Sequence, residues 1–416
     1  MPGGAYPPPA GLTRDAALAA DAADPLARFR DRFEIPDPGR IYLDGNSLGR
    51  PPIATRERLA AMVDEWGVRV VSAWPDWFDE PVRIGDLLGR ELLGAGDGEV
   101  LVCDSTTVNL YKLCGAVLAG AEPPVALLTD SANFPTDRYV LEGLSARHGV
   151  ELRLFDTDLA AALVARSLVV LQHVDYRSGA LADIAATEAL AAERGARVIW
   201  DLSHSAGSVP VDLRAAGARL AVGCSYKYLN GGPGAPGWLY VAAELQDELR
   251  SPIQGWFGQA DQFHMERPYE PAPGITRFLA GTPPILGLAA VEEGVRLLAE
   301  AGIDALRAKS VAQTELAREL YDAWLVPLGF ELQTPADPAR RGSHLCLGHP
   351  EAWPICRALD ERANVVVDFR DPDAIRLGIA PLYTSFTDVW DACDRIRRLV
   401  EAGEHSGFGA ERGRVT

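Results

Sequence analysis

The chain has 416 residues, 48% of them hydrophobic, with 40 Lys and Arg against 58 Asp and Glu and a formal charge of −18. That length exceeds what one hydrophobic core usually serves and predicts two domains. An acidic chain without Lys/Arg runs lacks the clustered cations that neutralise phosphates, which argues against a nucleic-acid partner; no stretch approaches the roughly 18 consecutive apolar residues of a membrane span.

Residues 1–24 are rich in Pro, Gly and Ala and lack the basic segment and continuous apolar stretch of a signal peptide, so a disordered leader on a cytoplasmic protein is expected. From about 98 to 242, short β-rich runs at 99–103, 124–129, 151–155, 167–174, 196–202, 219–225 and 237–242 alternate with helical patterns such as 106–120 and 183–195. Near-continuous apolar strands alternating with helices predict an α/β unit, a mostly parallel seven-stranded sheet covered on both faces. After Pro283 a long helical stretch over 284–326 precedes strands at 343–349, 364–370 and 374–380, a smaller α+β domain whose sheet can borrow the segment near 40–49. The expected bounds are a large domain at 60–285, a small one built from 25–59 and 286–403, and a tail at 404–416. Cys103, Cys114, Cys224, Cys346, Cys356 and Cys393 show neither C-x-x-C nor zinc-like Cys/His spacing, so they read as buried small hydrophobes and no metal site is expected.

Ligands collect at the carboxyl ends of strands in such sheets. Asp201 ends the run RVIWD, and Lys227 follows the next one, LAVGCSYK. A desolvated lysine becomes a free amine able to attack a carbonyl. Pyridoxal phosphate needs such a lysine, a carboxylate for its ring nitrogen, an aromatic face and donors for its phosphate. Asp201 suits the ring nitrogen. Ser105, Thr106 and Thr107 sit between a strand and a helix start, where backbone N–H groups and hydroxyls form an anion site; taken alone they read equally as a helix cap. The stretch NFPTD brings Phe134, Pro135, Thr136 and Asp137 to another strand end, and His204 follows Asp201 by three residues.

Together YLDGNSLG, STTVNL, NFPTD, WDLSHSAG, CSYKYLNGGPG, GWFGQADQF, GTPPIL and PLYTSF resemble the kynureninase family, fold type I enzymes dependent on pyridoxal phosphate, over about residues 25 to 400. The resemblance implies hydrolysis of L-kynurenine to anthranilate and L-alanine, in tryptophan catabolism and NAD biosynthesis, and favours kynurenine over its 3-hydroxy form. It implies that Lys227 holds the cofactor's aldehyde, Asp201 pairs with the ring nitrogen, and Thr106, Thr107 and Tyr226 lie near the phosphate. Phe134 would lie on the ring face, with Pro135, Thr136, Asp137 and His204 around it, and Tyr226 is a candidate acid/base. In a homodimer, Trp256 and Thr282 would reach the phosphate from the neighbouring subunit. Arg376 would grip the substrate's α-carboxylate, while Trp74, Gly281 and Thr282 match positions at its aryl end. Gln172 departs from the small hydroxyl residue common at its place in the family. A cysteine desulfurase or an aminotransferase on the same fold is the alternative, since a strand-end lysine and an upstream aspartate are common to that whole group.

Overall fold

The structure, a computed structural model, describes residues 6, 9, 11–156, 158–264 and 267–409. After β1 (Ile41–Tyr42) come β2 (Val100–Val102), β3 (Ala126–Asp130), β4 (Glu151–Phe155), β5 (Ser167–Gln172), β6 (Arg197–Asp201), β7 (Leu220–Gly223) and β8 (Trp238–Val241). The last seven form one sheet in the order β2-β8-β7-β6-β5-β3-β4, and only β8 runs against the others. Two-residue alternation decides which side chains face which layer. Val100, Leu128, Val169, Val198, Trp200, Ala221 and Trp238 enter one apolar cluster, while Leu101, Leu127, Leu168, Val170, Ile199, Val222 and Leu239 enter another. Both faces are thus dry, and ligand chemistry is left to the strand ends.

A second sheet has the antiparallel order β12-β13-β10-β9, built from β9 (Glu331–Leu332), β10 (His344–Gly348), β12 (Asp368–Arg370) and β13 (Ala374–Gly378). The early segment is drawn to it as expected, but indirectly: β1 pairs in parallel with β11 (Val365–Val366) in a separate ribbon, and Asp44 bridges to Gly378.

The long helical stretch after Pro283 is two helices, Ile285–Ala301 and Ile303–Leu320, broken at Gly302, whose φ of +81° favours glycine. The first packs Leu288, Val291, Val295 and Leu298 into the large sheet's core. The second packs Leu316 and Leu320 with Leu345, Ile375 and Ile396 of the C-terminal part. The first turn of this second helix still packs Leu306 into the large sheet's core, so the two helices together bridge the two cores.

The expected disordered leader differs too. Residues 1–5, 7, 8 and 10 lie outside the described residues, as do 410–416 of the tail, but Arg14–Ala22 is a helix capped by Thr13, whose hydroxyl accepts from Ala16 N at 3.2 Å. Composition hid what holds it. Ala17 is fully buried in the C-terminal core, Arg14 pairs with Asp391 at 2.7 Å, and the Asp21 carboxylate accepts from Phe386 N at 2.6 Å and Thr387 N at 3.0 Å. Asp21 thereby satisfies two orphan donors at the start of the helix Phe386–Glu401, a capping role supplied from 365 residues away. Beyond it, Asp24 pairs with the buried Lys309 at 2.8 Å. Asp21→Ala should lower unfolding free energy by about 1–2 kcal/mol, read as a lower urea midpoint with unchanged slope; an unchanged midpoint would mean that the segment contributes nothing to stability.

Candidate active site

Register sets the centre of the site. Gln172, Asp201 and Val222 stand side by side at the ends of β5, β6 and β7. Past β7 the chain turns tightly: Asn230 N donates to Lys227 O at 2.9 Å and Gly231 N to Ser225 O at 2.8 Å, with Asn230 in the left-handed region. Tyr228 and Leu229 are buried in the large core and pin this turn. The lysine is therefore held at the cleft floor by the burial of its neighbours.

Lys227 Nζ lies 3.1 Å from His204 Nε2, and 5.9 Å from the ring centres of both Phe134 and Tyr226. Burial lowers its pKa, with Cys224 and Asp201 opposing. Asp201 is 6% exposed and its Oδ1 accepts from Ser203 N at 2.8 Å. Its pKa is raised by burial, against the pull of Ser203 and Lys227. Asp137, in the first turn of the helix Pro135–His148 behind Pro135 and Thr136, is raised well above the usual carboxylate range by burial and then by Asp201. Burial likewise drives His204 well below the ordinary imidazole value, helped by Lys227 and Arg376, so this ring is neutral. Among the buried polar atoms without a partner are Thr106 Oγ1, at the start of the helix Thr106–Leu118, and Asp137 Oδ2. Ser105, not Thr106 or Thr107, caps that helix by accepting from Val108 N at 3.3 Å. The buried Thr106 hydroxyl is thus left over for another use.

Arg376, on β13, is fully buried. Its guanidinium donates to Asp368 Oδ2, to the Tyr176 carbonyl and to Ser47 Oγ, the last at 3.1 Å. With its amide oriented to suit its neighbours, Asn46 also accepts from this arginine at 3.3 Å. The remaining expected residues gather elsewhere. Trp74 and Thr282 line an apolar cavity of about 410 Å³ with Trp66, Val70, Trp77 and Leu286. Thr282 also borders a cavity of about 540 Å³ shared with Asp104, Ser105 and Tyr226. Gly281 is exposed beside it, and Trp256 stacks edge-on against Phe257 with 44% of its surface exposed.

Sequence reasoning marked Gln172 only as a departure from the family and missed Tyr176 and His344. Gln172 folds back so that its Oε1 accepts from Tyr176 N at 2.9 Å, fixing the loop after β5. Tyr176 meets Phe134 edge to face at 5.2 Å. His344, on β10, stands 5.8 Å from His204 with both ring nitrogens buried and unpartnered. The motif DGNSLG signalled Asn46 and Ser47, but nothing local in the sequence pairs Asp368 with Arg376.

The profile of a kynureninase C-terminal domain matches residues 306–396, and that of class-V aminotransferases matches 91–349. The kynureninase of Pseudomonas fluorescens is 45% identical over 401 residues, 94% of this chain and 96% of that protein; the Burkholderia pseudomallei kynureninase is 41% identical over the same shares. The chain belongs to the kynureninase family. Its fold is shared more widely, with a cysteine desulfurase of Thermococcus onnurineus (TM-score 0.76, 18% identity, 90% of this chain and 98% of that one) and with a cystine C–S lyase variant that carries glycine linked to its pyridoxal phosphate (TM-score 0.75, 19% identity, 91% and 99%). At such identities the likeness is one of fold alone.

A desulfurase needs an accessible nucleophilic cysteine. All six cysteines here are free and buried, and burial raises the Cys103 and Cys346 thiols to about 11. The native protein should therefore leave a thiol reagent almost unreacted and yield 6 thiols only after denaturation; one fast-reacting thiol in the native state would reopen the desulfurase reading.

Proposed function

We propose that Lys227 carries pyridoxal phosphate in this enzyme, a member of the kynureninase family that hydrolyses L-kynurenine to anthranilate and L-alanine. The observation that carries the assignment of Lys227 is its amine, pinned by a buried turn among Phe134, His204 and Asp201 in a pocket that favours the uncharged form. The surrounding residues fit the cofactor. The orphaned Thr106 hydroxyl at a helix N-terminus, with Thr107 and Tyr226 bordering the same region, suits a phosphate. Asp201, made more basic by burial, suits a protonated ring nitrogen, and Phe134 offers a flat face.

Bound there, the cofactor supplies an electron sink for charge developing at the substrate's Cα. Lys227, as a neutral amine, takes the proton from Cα and stays near enough to return it. Water adds to the aryl ketone carbon, the bond from that carbon to Cβ breaks, and the aryl acid departs as anthranilate. Cβ then needs a proton. Tyr226 is our candidate donor: Cys224, then burial, then Asp201 raise its phenol, which keeps it protonated. His204 stays neutral beside Lys227 and does not compete with it by a fixed positive charge.

Arg376 is the proposed holder of the substrate's α-carboxylate, which would draw on the N–H groups now given to Ser47 and Tyr176 while Asp368 keeps the fork oriented. Trp74 and Gly281 are proposed to flank the aryl end. The finer reading, a cytoplasmic homodimer in which Trp256 and Thr282 serve the neighbour's cofactor, is supported by an apolar surface that a second copy would cover. There Trp66, Val68, Val71 and Phe263 are 54, 85, 74 and 75% exposed.

Lys227→Ala should remove the yellow absorbance of bound cofactor and lower kcat/KM by about a thousandfold or more; retained turnover would end the assignment. Arg376→Lys should raise KM for kynurenine roughly tenfold or more with a smaller change in kcat, because one charge-assisted hydrogen bond of the fork is lost. An unchanged KM would move carboxylate recognition to another residue.

A further inference from the structure

Lys112 is a fully buried lysine that the mechanism above does not use. Its ammonium donates to Asp104 Oδ2 at 2.7 Å, to the Phe278 carbonyl at 2.7 Å and to Cys103 Sγ at 3.4 Å. All three of its N–H groups are thereby engaged. Burial pulls its pKa down, but Cys103 and Asp104 more than offset this and hold it above the ordinary lysine value. A buried ion pair is weak evidence for stability, since packed apolar side chains often do as well; what such a pair can fix is relative position.

The two segments it joins are the ones around the proposed phosphate site. On one side Asp104 has a φ of +46°, uncommon for a non-glycine residue, and its carbonyl accepts from Gly237 N at 2.7 Å. It opens the turn that carries Ser105 and the unpartnered Thr106 hydroxyl. On the other side Phe278 ends the 3-10 helix Gly274–Phe278. Two residues on, the Ala280 carbonyl accepts from Phe257 N at 3.3 Å and lies so near Gly255 that a Cβ there would stand 2.0 Å from it. Trp256 and Thr282 are thus both located from the strand of chain that Lys112 grips.

We infer that Lys112 is a positioning residue that couples the two cofactor sites of the dimer. Through Asp104 it sets the phosphate turn of its own subunit. Through Phe278 it sets the segment that, with Trp256 and Thr282, completes the neighbour's site. The inference rests on the proposed dimer with residues contributed across it.

The test titrates cofactor-free Lys112→Met with pyridoxal phosphate, and Asp104→Asn in parallel, which weakens the same contact from the other side should the first variant fail to fold. Each should bind cofactor about tenfold more weakly than wild type while keeping its circular dichroism. Hybrid dimers then separate the two arms. In a Lys112→Met subunit paired with Lys227→Ala, the one site able to bond cofactor has an altered turn and receives an intact segment. In wild type paired with the double variant, that site has an intact turn and receives an altered segment. Both hybrids should need about threefold more cofactor to develop the yellow absorbance, the two arms together making up the tenfold of the homodimeric variant. Weakening in the first alone makes Lys112 a local support and overturns the coupling; wild-type affinity in both overturns the inference whole. Wild-type protein that sediments as a monomer with full cofactor affinity would instead sink the dimer reading.

Discussion

An ionisable pair at neighbouring strand ends, Asp201 and Lys227, is the constraint on which the rest of this site depends. Parallel pairing of β6 with β7 brings Asp201 level with Val222, and the turn that follows can deliver Lys227 only into the space above Asp201. Each group is displaced from its ordinary titration by burial, the lysine downward and the carboxyl upward, and each limits the displacement of the other. Removing either would take away what opposes the other's displacement and push it further toward its uncharged form. The sheet's dry faces serve this end: because both are sealed by apolar layers, polarity is concentrated where the strands stop.

The C-terminal part contributes through a chain of contacts rather than by proximity alone. Gln172, at the end of β5, holds Tyr176 N; Tyr176 lies against Phe134 and offers its carbonyl to Arg376; Arg376 in turn is anchored by Asp368 on the adjacent strand. A single loop thereby touches the aromatic face on one domain and the guanidinium on the other. Rearrangement of that loop would move the proposed ring face and carboxylate fork together, which is what a site split between two cores requires.

Most of the large domain was legible because its signals are local. Seven apolar runs became seven strands, and Lys227, Asp201, His204, Phe134 and Asp137 converge because each follows a strand. What escaped depends on distance. The leader reads as disordered from composition, yet its Asp21 finds its partners 365 residues away. A 43-residue helical pattern gives no sign that Gly302 breaks it into two helices, or that the second passes from one core at Leu306 to the other at Ala312. The family resemblance implies a carboxylate-binding fork at Arg376, but only tertiary structure surrounds it with Asp368, Tyr176 and Ser47. Lys112, at an otherwise apolar helix face, would have been read as a misfit; its three acceptors come from two distant places in the chain, the adjacent Cys103 and Asp104 and, far beyond them, Phe278.

The fold itself does not choose the reaction. A desulfurase with a TM-score of 0.76 shares the backbone at 18% identity, so a strand-end lysine and its aspartate cannot by themselves decide between attack on sulfur and cleavage of a carbon–carbon bond. Selection must come from what lines the cleft around the amine. Here no thiol is accessible, a phenol is held protonated next to the lysine, and tryptophans gather on an apolar surface near Thr282. A thiol nucleophile would have to leave the core to reach a substrate, whereas the Tyr226 phenol already stands beside Lys227. Those features suit an aromatic ketone cleaved by water, and they belong to side chains around the cleft rather than to the sheet, whose backbone the desulfurase shares.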